Sequence, residues 1–346
     1  MIGNDDGRTP DAATEDGAGG GGGADGGGGA GGARDWADTL RWAREALAPG
    51  ERITRVSALR GGWTSRMRRL DVERPDGAGP YALVLRSFVK PFYRRHAPAL
   101  LAREAGVLRL LEGGAVPAAR ALALDAHGAS CDHPSLLTTH LPGSVRLDRD
   151  RDAHRRADLL AGHLAAVHAL DVGEAGRPRA WQAWTAPDLV RVPADTARPA
   201  LWARAVEEIR REAPAHRSCF LHRDFHPGNV LFTGAGDTLA VSGIVDWVET
   251  SWGPADLDVA HCATALALLH GPDAGLTFAD RYRAAGGALA PDRDHLYWRL
   301  LDALAFAPDA HKVAVPWRDL GRTDLTPPAL TGHLEDYLQA LFDRYA

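Results

Sequence analysis

The stretch CFLHRDFHPGNVLF, residues 219–232, contains the pattern that decides the fold. Its HRD tripeptide ends at Asp224 and is followed by four residues and then by Asn229, which is the spacing of a kinase catalytic loop. A further acid, Asp246, ends the next apolar run. Phosphoryl transfer to an alcohol requires a carboxylate that orients the hydroxyl and accepts its proton, and hard oxygen ligands for Mg²⁺. Asp224, Asn229 and Asp246 provide those side chains.

Other interpretations of these residues are weaker. Asp and Asn are common in turns and at strand ends, so each residue taken singly has an ordinary structural explanation. Their joint spacing, the Pro227–Gly228 turn and the flanking apolar runs favour the catalytic interpretation. His222 and His226 also have the HxxxH spacing of a zinc pair. The Pro-Gly turn disfavours a helix there, however, and no third ligand has zinc spacing.

The segment LAVSGIVDWVETSWGPADLDVAHC, residues 239–262, adds two further motifs. Together with the first stretch, it resembles the aminoglycoside phosphotransferase and choline kinase superfamily. The family pattern is an HxDxxxxN loop, a strand that ends in IxDW or IxDF, and then GPxxxDLA. Here the three motifs read HRDFHPGN, IVDW and GPADLDVA.

The resemblance implies roles for particular residues and an overall architecture. Asp224 is expected to be the catalytic base, Asn229 and Asp246 to bind Mg²⁺, and ATP to be the phosphate donor. His222 and Asp258, which lie outside the proton path, are expected to support the loops. The implied fold is α+β, bilobal and protein-kinase-like, with a small N-terminal antiparallel-sheet lobe and a larger, mainly helical C-terminal lobe.

The periodicity of the rest of the chain predicts the same bilobal organisation, with a cleft between the lobes. Residues 34–141 are the predicted nucleotide-binding lobe, which begins with a helix near Trp36. Its later elements are predicted as strands 53–59, 67–73, 81–88, 119–124 and 135–141, and helix 98–112. Residues 142–346 are the predicted catalytic and substrate-binding lobe, with an irregular insert at 220–246. Its predicted helices are 152–170, 200–213, 257–269, 278–286, 291–305 and 331–345.

Charge and composition exclude some classes of protein. Residues 1–33 are predicted to be a disordered glycine-rich tail, because 17–33 has no large apolar side chain to bury. The tail is not a phosphate loop, since no GK[ST] follows its glycines. With six acidic residues and one arginine, it accounts for the formal net charge of -5 of the whole chain. The neutral remainder predicts no nucleic-acid partner.

The sequence also predicts a cytoplasmic location. No run is long and apolar enough for a membrane span, and the start lacks the basic and apolar regions of a signal peptide. Cys131, Cys219 and Cys262 form no CxxC pair and are predicted to be small core residues. Neither a membrane nor a protein partner is predicted.

Several nucleotide-binding residues are predicted at the ends of the first lobe. In the turn LRGGWTSRM, Gly61, Gly62 and Ser65 lie where a backbone can approach phosphates, although glycine turns are common in hairpins. The connection between the lobes, which includes Thr139 and Leu141, is predicted to meet the adenine edge through its backbone groups.

A cation and its supporting acid are predicted in the same lobe. Kinases hold the α and β phosphates with a cation on the third strand, which a helix glutamate positions. Arg86, at the end of ALVLR, and Glu104, in LLAREAGVLRLL, occupy these places. The family pattern, a strand ending in VLK or VLR and a helix with an RE pair, supports both. Lys90 is a rival cation if the strand continues, although a solvated lysine is the stronger interpretation.

The acceptor is expected to be a small molecule. No activation segment ending in APE separates Asp246 from the next helix, so a protein acceptor is disfavoured. Acids nearby would suit a cationic aminosugar, and aromatic residues would suit choline or an apolar antibiotic. Most of them are expected to be surface acids and half-buried core aromatics. These residues are Glu249, Asp256, Asp302, Asp309, Trp247, Trp252, Trp298 and Trp317.

The predicted function is ATP- and Mg²⁺-dependent phosphorylation of a hydroxyl group on a small molecule, such as an aminoglycoside-type antibiotic. Two alternatives stay open at this point. One is a kinase of the same fold that acts on a metabolite such as choline, homoserine or an amino sugar. The other is a non-catalytic nucleotide-binding member of the fold.

Overall fold

The computed structural model of the chain describes residues 36–59, 65–75, 77–308 and 310–346. The predicted tail, residues 1–33, therefore lies outside the described residues, as do Gly61 and Gly62 of the predicted phosphate-binding turn.

The first part of the chain forms a five-stranded antiparallel sheet and two helices. The strands are β1 (Arg52–Leu59), β2 (Arg66–Glu73), β3 (Tyr81–Ser87), β4 (Ala121–Asp125) and β5 (Ser135–Thr139). Their order across the sheet is β1-β2-β3-β5-β4, so β3 is central. Helix α1 (Ala37–Glu45) precedes the sheet, and α2 (Pro91–Leu111) connects β3 to β4. Trp36, Leu70, Leu83 and Leu137 lie in the core of this sheet.

Helix α2 begins seven residues earlier than the predicted start at residue 98, which was wrong. Pro91 stands in the first turn, where a residue without an N–H leaves no hydrogen bond unmade. Pro98 instead lies inside the helix. The extra two turns bring the start of α2 close to the end of β3.

The second part of the chain is mainly helical. Its helices are α3 (Ala153–His168), α4 (Pro199–Glu208), α5 (Ala255–His270), α6 (Pro272–Ala284), α7 (Asp292–Leu304), α8 (His311–Asp319) and α9 (Pro327–Tyr345). The periodicity did not predict α8, because Pro316 within it is normally a helix breaker. The periodicity also predicted that α6 begins at residue 278, whereas the helix begins at Pro272.

Two short antiparallel strand pairs are inserted among these helices. Strand β6 (Ser218–Leu221) pairs with β9 (Ser251–Pro254), and β7 (Val230–Thr233) pairs with β8 (Ala240–Ile244). The connection from β6 to β7 carries the HRD motif, and the connection from β8 to β9 carries the IVDW motif. The two pairs therefore hold both motif loops at fixed positions.

Helix α5 runs through the centre of the helical part. All of its residues except the first and the last are buried, as expected of a helix that is apolar on every side. It packs against α6, α7 and α9. Within the residues that the structure describes, none of the helices is both long and apolar enough to cross a membrane.

The two parts of the chain share one hydrophobic core. Leu101 of α2 and Leu136 of β5 belong to the same buried cluster as Phe232 of β7, Ile244 of β8 and Trp247. This shared core fixes α2 against the motif loops. The architecture is the predicted α+β, protein-kinase-like fold, while the division of domains at residues 141 and 142 stays a prediction.

Candidate active site

The HRD loop places Asp224 and Asn229 in direct contact. Asn229 donates from Nδ2 to the backbone oxygen of Asp224 at 2.8 Å and to its carboxylate Oδ2 at 3.1 Å. The amide nitrogen is therefore used inside the loop, and its Oδ1 is the atom left for an external ligand. The Asp224 side chain is 23% exposed, so the carboxylate reaches the cleft.

A buried acid of helix α5 holds the backbone of this loop. Asp258 of α5 is fully buried and accepts hydrogen bonds from the backbone amides of His222 and Arg223, both at 2.8 Å. Arg223 has a φ of 70°, which is unusual for a residue other than glycine and occurs mainly where the surroundings enforce it. The two amides held by Asp258 provide that enforcement. The position of Asp258 agrees with its expected supporting role.

The IVDW loop lies beside the HRD loop. His222 contacts the oxygen of Val245 through Nε2 at 3.0 Å, and the amide of Val245 donates to the oxygen of Asn229 at 3.0 Å. Asp246, the next residue, has a φ of 66°. Two residues other than glycine thus have left-handed backbones, one in each motif loop. The hydrogen bonds bring Asp246 next to Asn229, as a shared metal site would require.

Arg86 connects the sheet to the IVDW loop. Its Nη1 donates to both oxygens of Glu104 at 2.9 Å and to Oδ1 of Asp246 at 3.0 Å. We call these three residues the arginine cluster. Arg86 is 7% exposed; burial opposes its charge, but Asp246 and Glu104 outweigh burial and raise its pKa above the ordinary value. Within the described part of the chain, Nη2 of Arg86 has no partner and is the donor left for a phosphate.

The rival cation lies outside strand β3, although it lines the same cavity as Ser65. Strand β3 ends at Ser87, and Lys90 is the residue that precedes α2, so it does not continue the face of the strand that carries Arg86.

The other residues predicted to bind the nucleotide differ in whether their polar groups are free to meet it. Ser65 is buried and accepts from Nε of Arg86 at 3.2 Å, beside a cavity of about 480 Å³ that Leu59 also lines. Thr139 is the last residue of β5, and its amide donates to the oxygen of Arg120 at 3.0 Å, so this donor is not available to an adenine. Leu141 lies beyond the strand.

Leu141 also shows how closely the connection between the lobes approaches the motif loops. Its side chain lies directly over Gly243 of β8, where an added Cβ would be 2.6 Å from Cδ1 of Leu141. Glycine at this position therefore permits the close contact.

A histidine that the sequence analysis missed completes the site. His261 of α5 lies with Nε2 3.1 Å from Oδ1 of Asp224 and with Nδ1 3.0 Å from Oδ1 of Asp302 in α7. We call these three residues the histidine bridge. Burial opposes a charge on His261, but Asp302 and Asp224 outweigh it and raise its pKa to about 9. A signal was present, since His261 follows Asp258 by three positions and so lies on the same face of a mainly apolar helix.

The acids considered for substrate binding are not at the surface, so that expectation was wrong for three of them. Glu249, Asp256 and Asp302 are each 5% exposed or less. Their partners are Arg179, His295 and His261, respectively. Trp247, Trp298 and Trp317 are likewise buried rather than half-buried, while Trp252 is partly exposed. Asp309 lies outside the described residues.

The zinc interpretation gains no support from the geometry. Asp224, His226 and His261 offer ligand atoms within 4.8 Å of one another. However, Nδ1 of His226 accepts from the amide of Gly228 at 3.0 Å, and burial lowers the pKa of His226 to about 4. The neutral ring then carries its proton on Nε2, so it presents an N–H, not a lone pair, to Asp224.

The fold is that of the protein-kinase-like phosphotransferases. Residues 55–301, more than two thirds of the chain, match the family model described as the phosphotransferase enzyme family. The chain belongs to this family and is a small-molecule phosphotransferase. No curated protein matches the sequence.

Solved structures share the fold at low sequence identity. An aminoglycoside-3'-phosphotransferase of type VIII is 24% identical with a TM-score of 0.53, covering 78% of this chain and 99% of its own. A thermostable mutant of APH(4)-Ia with AMP-PNP and hygromycin B is 16% identical with a TM-score of 0.55, covering 88% and 97%. Amicoumacin kinase hAmiN with AMP-PNP, Ca²⁺ and Ami is 10% identical with a TM-score of 0.53, covering 90% and 95%. At these identities the likeness shows the fold alone.

Proposed function

We propose that the protein transfers the γ-phosphoryl group of ATP to a hydroxyl of a small molecule, with Asp224 as the base. The observation that carries this proposal is a continuous chain of contacts. Arg86 touches Asp246 at 3.0 Å, the residue before Asp246 bonds to Asn229, and Asn229 bonds to Asp224. A cation for the phosphates, two oxygen ligands for a metal and a base thus follow one another in space, each linked to the next.

In the proposed reaction, the acceptor hydroxyl gives its proton to Asp224 while its oxygen forms a bond to the γ-phosphorus. The bond from this phosphorus to the bridging oxygen breaks, and its electron pair leaves with ADP. Asp224 then returns the proton to solvent.

The residues present fit Mg²⁺. Oδ1 of Asn229 and Oδ2 of Asp246 are the oxygens that the contacts described above leave available, and hard oxygen donors are the ligands that Mg²⁺ prefers. When bound, Mg²⁺ would neutralise charge on the phosphate oxygens. Replacement of Asp246 by Asn should therefore raise the magnesium concentration that half-saturates turnover. A magnesium dependence equal to that of the wild type would contradict this ligand assignment.

The acceptor that we propose is an aminoglycoside-type antibiotic or a similar hydroxylated compound. Relatives of the same fold are named for such acceptors, including hygromycin B and amicoumacin. A second candidate, a metabolite with few ammonium groups, is favoured by one observation. Three acids considered for cation binding are already used in internal pairs, and Trp184 and Phe306 lie against His261 near the base.

Phosphate transfer to a panel of acceptors tests the proposal. The panel contains aminoglycosides, neutral hydroxylated antibiotics, choline and amino-acid alcohols, with ATP and Mg²⁺. We expect turnover with one class, and its loss in Asp224→Ala with nucleotide affinity retained. The matched control is Asp237→Ala, which removes a fully exposed aspartate. Equal turnover in the wild type and Asp224→Ala would overturn the assignment of the base. The cytoplasmic location stays a prediction from the sequence.

A further inference from the structure

Both oxygens of Asp224 are held inside the protein. Asn229 donates to Oδ2 at 3.1 Å, and Nε2 of His261 lies 3.1 Å from Oδ1. Two donors on opposite oxygens fix the plane of a carboxylate, whereas one donor leaves it free to rotate about its last bond. Asn229 belongs to the motif loop, but His261 is supplied by helix α5.

The contacts of His261 require its charged form. Its second nitrogen, Nδ1, lies 3.0 Å from Oδ1 of Asp302, so a carboxylate faces each nitrogen. A neutral imidazole has a single N–H and a lone pair, and the lone pair would face one of the two carboxylates. The imidazolium donates to both.

The surroundings of the ring strengthen these two bonds. His261 is 5% exposed, with the ring of Trp184 edge-on at 4.8 Å and the ring of Phe306 stacked at 5.9 Å. These apolar rings keep water from the imidazolium and lower the local dielectric constant, so its attraction to the carboxylates is less screened.

A second Asp–His pair in the same two helices provides a comparison. Asp256 of α5 lies 2.7 Å from Nδ1 of His295 in α7. Here the acid belongs to α5 and the histidine to α7, whereas in the histidine bridge His261 belongs to α5 and Asp302 to α7. The other nitrogen of His295 faces Nη1 of Arg299 at 3.1 Å and not a second acid. Burial accordingly lowers the pKa of His295. A single Asp–His hydrogen bond is enough to join α5 to α7. The contact of His261 with a second carboxylate, that of Asp224, is therefore not needed to hold the two helices together.

We infer that His261 is a positioning residue for the base: as an imidazolium held by Asp302, it fixes the carboxylate of Asp224 in one orientation and keeps it ionised. This inference rests on the proposed function. His261 keeps its proton during turnover, and Asp224 first orients the hydroxyl and then accepts its proton, as suits a loose transition state.

The histidine bridge should make turnover fall as the pH rises. The charged and titratable groups that face His261 are Asp224 and His226 of the HRD loop and Asp302 of α7. The guanidinium of Arg223 lies over the ring of Trp184, which in turn contacts His261. Because Asp302 raises the pKa of His261, the imidazolium loses its proton only as pH rises through about 9. Its Nε2 then offers a lone pair to Oδ1, the bond is lost, and turnover should fall.

The experiment compares the pH dependence of kcat in the wild type, Asp302→Asn and Asp256→Asn. Asp302→Asn should move the alkaline limb of kcat down by about one pH unit or more, because an amide no longer stabilises the charge. At pH 8 its kcat should then be about twofold lower for a shift of about one unit and about tenfold lower for a shift of about two units. The KM for ATP should not change. Asp256→Asn, the matched control, should lose similar stability but keep the wild-type profile.

A titration independent of turnover separates this inference from the proposed function. The ¹³Cε1–H signal of His261, assigned from its absence in His261→Gln, should titrate near pH 9 in the wild type and lower in Asp302→Asn. A midpoint near the ordinary histidine value of about 6.5 in the wild type, or an unshifted kcat profile in folded Asp302→Asn, would overturn the inference. If Asp302→Asn does not fold, His261→Gln should lack the alkaline limb, and a retained limb would overturn it. A midpoint near 9 with no transfer to any acceptor would support the charged bridge and overturn the phosphotransfer proposal.

Discussion

The arginine cluster and the histidine bridge have the same plan with a different cation. In each, a buried cation lies between an acid proposed for chemistry and an acid that only supports it. Arg86 lies between Asp246 and Glu104, and His261 lies between Asp224 and Asp302, as given above. A guanidinium stays charged at every pH that a folded protein survives, whereas an imidazolium does not. The histidine bridge should therefore respond to alkaline pH, whereas the arginine cluster should not.

Removal of the central arginine should have the largest effect. Arg86→Ala leaves the buried carboxylate of Glu104 without its cation, which should cost about 3–5 kcal/mol of unfolding free energy. It also removes the proposed phosphate donor, so kcat/KM should fall about 100- to 1000-fold. Urea unfolding and steady-state kinetics measure the two effects. A folded Arg86→Ala protein with full activity would show that another cation, such as Lys90, holds the phosphates.

Weakening the supporting acid should have a smaller effect and leave the pH profile unchanged. Glu104→Gln leaves Arg86 one uncharged acceptor oxygen in place of two carboxylate oxygens, so kcat/KM for ATP should fall roughly tenfold. The alkaline limb of kcat should stay where it is in the wild type. Glu112→Gln, at the exposed end of the same helix, is the control. A limb that moved in Glu104→Gln would remove the contrast between the two networks.

Stability should depend on pH through the histidine bridge. The pKa of His261 is about 9 in the folded protein and about 6.5, the ordinary histidine value, in the unfolded chain. Its contribution is therefore complete below about pH 6.5 and is lost as pH rises through about 9. The difference in Tm between the wild type and His261→Gln should shrink over this window. A difference that stays constant from about pH 6 to about pH 9.5 would count against a charged His261.

Exposed ion pairs give the smallest expected effect. Arg52 and Glu73 join β1 to β2 at 3.0 Å, with both side chains more than half exposed. Glu73→Gln should change the unfolding free energy by about 1 kcal/mol or less and leave kcat unchanged. Urea unfolding at low and high salt measures it. A loss as large as that of Arg86→Ala would mean that burial does not set the strength of these pairs.

The elements best predicted from the sequence are those that local contacts determine. Strands β1 to β3 and the order of elements from β1 to β5 follow from alternation and turns, and the structure has them within a few residues. The starts of α2 and α6 were wrong because Pro91 and Pro272 begin helices, although proline usually indicates a break. Helix α8 was missed for the related reason that Pro316 lies within it.

Within the candidate site, the sequence by itself predicted the residues proposed for catalysis, metal binding and phosphate binding. The HRD spacing named Asp224 and Asn229 because a tight loop brings residues five positions apart into contact, here at 3.1 Å. The family motifs added Asp246, and the strand and helix patterns added Arg86 and Glu104. Each of these residues lies in a motif of short range, so local chain geometry limits where it points.

The sequence predicted the pair of Arg86 and Glu104, but only the tertiary structure decided which cation holds Asp246, Asp224 and Asp302. Arg86 and Asp246 are 160 positions apart, and His261 and Asp302 are 41 apart on two different helices. No local pattern records such a pair, because the packing of α5 against α7 and of α2 against the motif loops sets these distances. Burial then decides their strength, since a buried carboxylate requires a nearby cation and an exposed one does not.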